Sequence, residues 1–227
     1  MDIGLLNEKP LHAALKNWVA QPENQVEVAV DGFVIDIIQD GVLVEIQTGN
    51  FSAIRRKVKR LTENHVVQLV YPIAFEKWII KPGEGSEKES RRKSPKRGQV
   101  VEVFKELVSF PELLQHPNFS LEVLLIREEE IRRYSGKQGW RRGGWVTEER
   151  RLLEVVESHV FRDADDLWTL IPTGLPDQFT TSDLAHSMQI PRRLAQQVAY
   201  CLRKASVIEP IGKRGRANLY ARSENSQ

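Results

Sequence analysis

In Val34-Ile35-Asp36-Ile37-Ile38-Gln39-Asp40-Gly41-Val42-Leu43-Val44-Glu45-Ile46-Gln47, an Asp-Gly pair separates two apolar runs. Asp-Gly is a strong signal for a two-residue hairpin, because both turn positions need positive φ. The turn fixes the register: Gln39 faces Val42, Ile38 faces Leu43, Ile37 faces Val44, and Asp36 faces Glu45. Val34 then faces Gln47. Two carboxylates therefore stand opposite each other on one face, with Val, Ile and Leu around them. Like charges so placed destabilise a sheet unless a shared proton, a cationic side chain or a metal compensates. A divalent ion suits two converging oxygens, and Mg²⁺ keeps waters and leaves room for a phosphate. Gln47 shares the face of Glu45 and can orient a water or a phosphate. The alternative is two acids solvated at a hairpin rim, but the pair sits four residues from the turn, in the apolar middle.

Working outward, Leu11 to Val19 has Leu11, Leu15 and Trp18 at helical spacing. Val26 to Ile38 is strand-like, and Val42 to Gln47 is a second strand. Asn50 is placed to cap a helix from Phe51 to Leu61 with the stripe Ile54, Val58, Leu61. Val66 to Ile73 is an apolar run that suits a strand covered on both faces, and Trp78-Ile79-Ile80 continue or flank it. Helix, strands, helix, strand spells an α/β sandwich. Lys81 to Gly98 has no apolar residue and reads as a mobile basic loop. Val100 to Leu114 reads as helical, Leu121 to Ile126 as a strand, and Arg127 to Arg133 as the charged end of the first domain. Val146 to Val160 reads as a long helix with Leu152, Val155, Val156 and His159 on one side.

These residues resemble the PD-(D/E)XK nuclease superfamily: Ile35-Asp36, then Glu45-Ile46-Gln47 after a hairpin, then a helix from Phe51. The resemblance covers roughly the first third of the chain closely. It implies a restriction-endonuclease-like α/β/α sandwich with a mixed sheet. It implies that Asp36 and Glu45 bind Mg²⁺ or Mn²⁺ and activate water on a scissile phosphate. Gln47 takes the place usually held by lysine, and Ile35 that of the nominal proline. Glu8 is the candidate fourth member of the catalytic set, though an acid at a helix N-terminus is also favoured by the helix dipole. Glutamine cannot act as a cation, so a basic residue of the next helix (Arg55, Arg56, Lys57, Lys59, Arg60) is expected to reach back, with Lys57 or Arg56 preferred. The others suit phosphate contacts.

The C-terminal stretch carries a net charge of +6 over residues 192–227, on a chain whose total is +2. Thr180 to Met188 reads as a short capped helix. Arg192 to Ala205 reads as a second helix, with Leu194, Val198, Cys201 and Leu202 on one face. Val207–Ile211 and Ala217–Ala221 read as strands joined by Gly212-Lys213-Arg214-Gly215-Arg216. The order resembles a winged helix-turn-helix, with Asp163 to Ile171 as its first helix. The resemblance implies that Arg192, Arg193, Gln196 and Gln197 approach the major groove and that Lys213, Arg214 and Arg216 form a basic wing.

The expected organisation is a nuclease-like domain over residues 1–135 with its basic loop at 81–99, a connecting helix over 136–160, a winged-helix domain over 161–222 and a tail at 223–227. The expected activity is metal-dependent hydrolysis of DNA phosphodiesters in repair, recombination or defence, with RNA as a further substrate class. The rival is a non-catalytic, regulatory DNA-binding protein built on the same fold. Nucleases of this type often cut as homodimers, so a homodimer is the oligomer the resemblance suggests. One cysteine, Cys201, excludes a disulfide framework or a cysteine zinc cluster. No apolar run reaches the roughly 18 residues of a membrane span, and the N-terminus has no leader pattern, so a cytoplasmic protein is expected. There is no phosphate-binding glycine loop and no Gly-x-Ser-x-Gly elbow. Trp140-Arg141-Arg142-Gly143-Gly144-Trp145 interleaves aromatic and basic residues, which suits stacking on a base, but a tight turn at the domain junction is the preferred reading.

Overall fold

The computed structural model describes residues 9–83, 89–136 and 143–223. The N-terminal elements are α1 (Pro10–Val19), β1 (Gln25–Val30), β2 (Phe33–Gln39), β3 (Val42–Ile46), α2 (Phe51–Thr62) and β4 (Val67–Lys81). The run expected as one strand over Val26–Ile38 is two, because a second Asp-Gly pair turns the chain. Asp31 and Gly32 lie at φ 49° and 80°, the same values as Asp40 and Gly41. Two matching turns thus fold β1, β2 and β3 into a meander. The expected hairpin pairs Gln39–Val42, Ile38–Leu43 and Ile37–Val44 are present. β3 then runs parallel to β4, with α2 as the crossover.

The next part departs most from expectation. The 81–99 segment is not all loop: β5 (Ser90–Lys93) pairs with the far end of β4. Ion pairs hold its charges, so apolar burial is not needed: Arg91 to Glu129, and Lys93 to Glu76. The helix expected over Val100–Leu114 is broken into a 3₁₀ turn at Val100–Val103, a single turn α3 (Phe104–Leu107) and a second 3₁₀ turn at Pro111–Gln115. β6 (Phe119–Tyr134) runs through the charged segment expected to end the first domain, and the Ser135 N–H still donates across to the Gly144 carbonyl. The connecting helix expected over 136–160 is a strand, β7 (Trp145–Phe161), antiparallel to β6. Bulges explain the error. Leu152 and Val155 are three apart, as in a helix, yet pair with Glu128 and Ile126, which are two apart; Leu153 is the extra residue. Both therefore face α1.

Together the strands form a seven-stranded mixed sheet in the order β1-β2-β3-β4-β6-β7, with β5 beside the distal part of β4. α1 covers one face through Leu11 and Leu15, against Val44, Val70, Leu124 and Ile126. α2, α3 and the 3₁₀ turns cover the other, where Phe51 stacks on Phe110 with ring centroids 5.4 Å apart. Beyond these helices β4, β6 and β7 run on as a charged arm. Glu128 is fully buried there: the Arg150 guanidinium reaches its Oε2 at 2.6 and 2.8 Å, and the Lys77 ammonium faces its Oε1 at 3.2 Å. Glu130 accepts from Lys77 and Arg132, both at 2.7 Å.

Gly98 is buried where the chain crosses β4, its N–H on the Ala74 carbonyl at 3.0 Å. A Cβ there would sit 2.5 Å from that carbonyl oxygen and 2.7 Å from Ile73 Cγ2. Gly98→Ala is expected to cost about 1–3 kcal/mol by overpacking, read as a lower urea midpoint with an unchanged slope.

The C-terminal part holds a 3₁₀ turn at Asp165–Leu170, in place of the first helix expected over Asp163–Ile171. Then come β8 (Gln178–Phe179), α4 (Thr181–Ser187), α5 (Arg192–Lys204), β9 (Ile208–Arg214) and β10 (Ala217–Arg222), with a three-stranded antiparallel sheet β8-β10-β9. Thr180 and Asp183 close a capping box on α4. α5 packs on α3 and the Pro111–Gln115 turn, so Leu107, Phe110 and Leu113 share one core with Ala195, Ala199 and Leu202. No helix among the described residues is long and apolar enough to cross a membrane.

Candidate functional site

The β2–β3 ladder stops at Ile37–Val44, one pair before Asp36 and Glu45. In an unbroken antiparallel ladder the Ile46 N–H would go to the Ile35 carbonyl. It goes instead to Asp36 Oδ2, at 2.7 Å. The carboxylate thus takes a backbone position and the strands part there. α1 brings His12, whose Nε2 lies 3.3 Å from the same oxygen. α2 brings Lys57, whose ammonium donates to Glu45 Oε2 at 2.6 Å and to the Val34 carbonyl at 2.5 Å. One lysine therefore ties both strands where they separate.

The turn that aims α2 is itself held. Asn50 stands at the N-cap with φ 56°, but its side chain does not cap the helix. Glu106, from α3, accepts the Phe51 N–H at 3.0 Å instead. The Gln47 amide donates to the carbonyls of Gly49 and Asn50. Its NH₂ group thus closes the β3–α2 turn and is not the group that meets Asp36.

Burial pushes the Glu45 carboxyl up to about 7, the Asp36 charge adds to this, and Lys57 opposes it. Burial also works to raise Asp36, but the hydrogen bond and charge of His12, with the Ile46 N–H and Lys57, hold it below the usual carboxylate value. One acid is a settled anion and its neighbour is strained by it. A divalent cation would relieve that strain. Asp36 Oδ1 and Glu45 Oε1 have no hydrogen-bond partner among the described residues. Two carboxylate oxygens plus water suit Mg²⁺ or Mn²⁺, which accept few protein ligands. Among the described residues no group of three or more His, Cys, Asp or Glu side chains is placed to hold a metal. Glu8 lies outside the described residues, as do Trp140, Arg141 and Arg142.

Of the remaining predicted residues, Arg55 and Lys59 reach Glu112 at 3.3 and 3.1 Å, and Arg56 is exposed. On α5, Arg192, Arg193 and Gln196 are exposed and Gln197 is half-buried. The same stripe continues through Tyr200, Arg203 and Lys204, all exposed, which the sequence reading missed although their spacing is helical. At the β9–β10 tip Lys213 and Arg216 are exposed, whereas Arg214 turns back to Asp183 at 3.1 Å and the Gln178 carbonyl at 3.2 Å. His12 was also missed. No spacing in the sequence singles it out.

Residues 9–162, from α1 to the end of β7, match a family described as "Domain of unknown function (DUF8091)". An uncharacterized protein of Treponema pallidum (strain Nichols) is 32% identical over 224 residues, covering 97% of this chain and 87% of its own length. No solved structure matches the chain. By the span of the match, the chain belongs to the DUF8091 family.

Proposed function

We propose that this protein is a metal-dependent nuclease whose C-terminal module holds DNA. One observation carries the reading: Lys57 places an ammonium 2.6 Å from Glu45. The PD-(D/E)XK pattern needs a cation beside its acidic pair, and Gln47 cannot supply it. Here the neighbouring helix does. The order α1-β1-β2-β3-α2-β4 also agrees with the core of that superfamily, a restriction-endonuclease-like α/β/α sandwich.

In this reading Asp36 and Glu45 hold the ion. When bound, Mg²⁺ or Mn²⁺ polarises the phosphate and lowers the pKa of the attacking water. His12 orients Asp36, and Lys57 holds Glu45 and offers positive charge where the phosphate sits. A rival reading has its own support. His12 and Lys57 already compensate both acids, as they would in a non-catalytic, regulatory DNA-binding protein. Titration of Mg²⁺ or Mn²⁺ into wild type and Asp36→Asn, with a parallel cleavage assay, separates the two. Saturable binding and cleavage that are both lost in the variant support the nuclease; binding in neither protein supports the rival.

The C-terminal module resembles a winged helix. α5 is the candidate recognition helix and the β9–β10 tip the wing. Because Arg214 is engaged by Asp183, the wing offers Lys213 and Arg216, which have no ion-pair partner among the described residues. The double variant Lys213→Gln, Arg216→Gln is expected to weaken duplex binding and flatten the log–log salt slope by about two. A slope unchanged by both substitutions removes the wing from the interface. RNA binding and a homodimer stay within this proposal, and neither carries it.

A further inference from the structure

A cavity of about 530 Å³ lies on the arm, lined by Tyr71, Lys77, Ile79, Arg132, Thr147 and Arg150. A second cavity of about 480 Å³ runs from Gln47 and Asn50 to the same Thr147 and Arg150, and Thr48 also lines both. The two form one trough that starts two residues from Glu45 and leads away along the arm. Five cations line the first cavity, Lys96 and Lys105 among them, against Glu102, Glu106 and Glu130. The five cations are each ion-paired, Lys96 and Lys105 with Glu102, Lys77 and Arg132 with Glu130, and Arg150 with the buried Glu128, while Glu106 accepts the Phe51 N–H. In the second cavity Glu148 and Glu149 face Arg133 and Arg151. The Tyr71 hydroxyl has no hydrogen-bond partner among the described residues, and burial pushes its pKa up to about 12, so it stays a donor.

The trough has an aromatic end. Lys81, Tyr134 and Trp145 each lie two residues beyond a lining residue (Ile79, Arg132, Thr147), hence on the same face of their strands. The Lys81 ammonium stands 4.3 Å from the centre of the Trp145 ring, and Tyr134 meets that ring edge-on at 5.6 Å. Tyr134 is 54% exposed. Gly144 makes room for it, since a Cβ there would lie 2.7 Å from the tyrosine ring. Cations along a trough with an exposed tyrosine beside a half-buried tryptophan at one end suit a strand whose bases are free to stack, whereas a duplex hides its bases.

We propose that this trough is a track for single-stranded nucleic acid, running from the Asp36–Glu45 site to the Lys81–Trp145–Tyr134 end. The inference rests on the nuclease reading and names its substrate class: nucleic acid with an unpaired strand, such as an overhang, a flap or a branch.

The test is fluorescence anisotropy of a labelled oligothymidylate strand and of a labelled duplex, with the full chain in EDTA so that nothing is cut. Trp145→Leu is expected to weaken single-strand binding about tenfold, the scale of one lost stacking contact, and to leave duplex binding unchanged. Trp145→Phe keeps a ring and should stay near wild type. Lys81→Gln, an exchange at the trough's end, should weaken single-strand binding alone. Single-strand affinity untouched by Trp145→Leu and Lys81→Gln overturns the proposal, as does a parallel loss of single-strand and duplex binding. If wild type cuts no substrate but the expected pattern holds, the nuclease reading fails and the track stands. If duplex is cut and single-strand binding ignores these residues, the track fails and the nuclease stands.

Discussion

If the proposed nuclease reading holds, Asp36→Asn and Glu45→Gln are each expected to lower Mg²⁺-dependent cleavage on the order of a thousandfold, the several kcal/mol that a positioned ion supplies to a developing phosphate charge. Affinity for DNA in EDTA stays within about threefold, because neither acid faces α5 or the wing. Both amides keep the shape of the side chain they replace, so the fold holds. Lys57→Gln acts on two quantities at once. Cleavage falls, and stability falls too, because Glu45 is buried and loses the cation that opposes its desolvation. A single-turnover assay beside thermal melts checks all three. Cleavage untouched by Asp36→Asn would falsify the assignment of the site.

Arg150→Leu is expected to cost about 3 kcal/mol or more, the penalty of leaving a buried carboxylate without its main partner. Glu128 is inaccessible to solvent and takes both its hydrogen bonds from Arg150. The double variant Arg150→Leu, Glu128→Leu should regain most of the loss, since an apolar pair of similar volume replaces the ion pair. Urea unfolding of the three proteins checks this; a double variant no more stable than the single one refutes it. The same arm sets an acid limit. Burial alone would raise the Glu130 carboxyl, yet Lys77 and Arg132 hold it down at about 2. A carboxyl depressed on folding stabilises above its unfolded value of about 4.3 and loses that contribution as pH falls through the folded one. The urea midpoint should therefore drop below about pH 4, and Glu130→Gln should flatten that drop.

The hairpin around Asp40-Gly41 was legible because turn chemistry and alternation agree over a few local residues. So were α1, α2 and α5 from apolar residues at helical spacing, and α4 from its capped start, although Trp18 of the α1 stripe is half exposed. The register up to Ile37–Val44 was legible for the same reason, but the expected pairs Asp36–Glu45 and Val34–Gln47 lie beyond the end of the ladder, where the Asp36 carboxylate takes the Ile46 N–H. β7 was not, because its bulges give an apolar spacing that a helix would also give. β5 was hidden because its stability comes from ion pairs to β4 and β6, which no local pattern encodes. The cap on α2 was misassigned to Asn50 because Glu106, 55 residues from Phe51, does the work. Lys57 could be narrowed to one of two residues from helix position alone; His12 could not be found at all, because its meaning depends on where α1 crosses the sheet.

The packing of α5 on α3 bears on what the unit of inheritance is. The shared family span ends at residue 162, yet Leu107, Phe110 and Leu113 find their cover in Ala195, Ala199 and Leu202. The last third of the chain thus shares one of the two apolar clusters with the family span. A substitution on the buried side of α5 is felt in the α3 segment that supplies Glu106 to α2. A change in side-chain volume on one side of this contact therefore alters the packing open to the other.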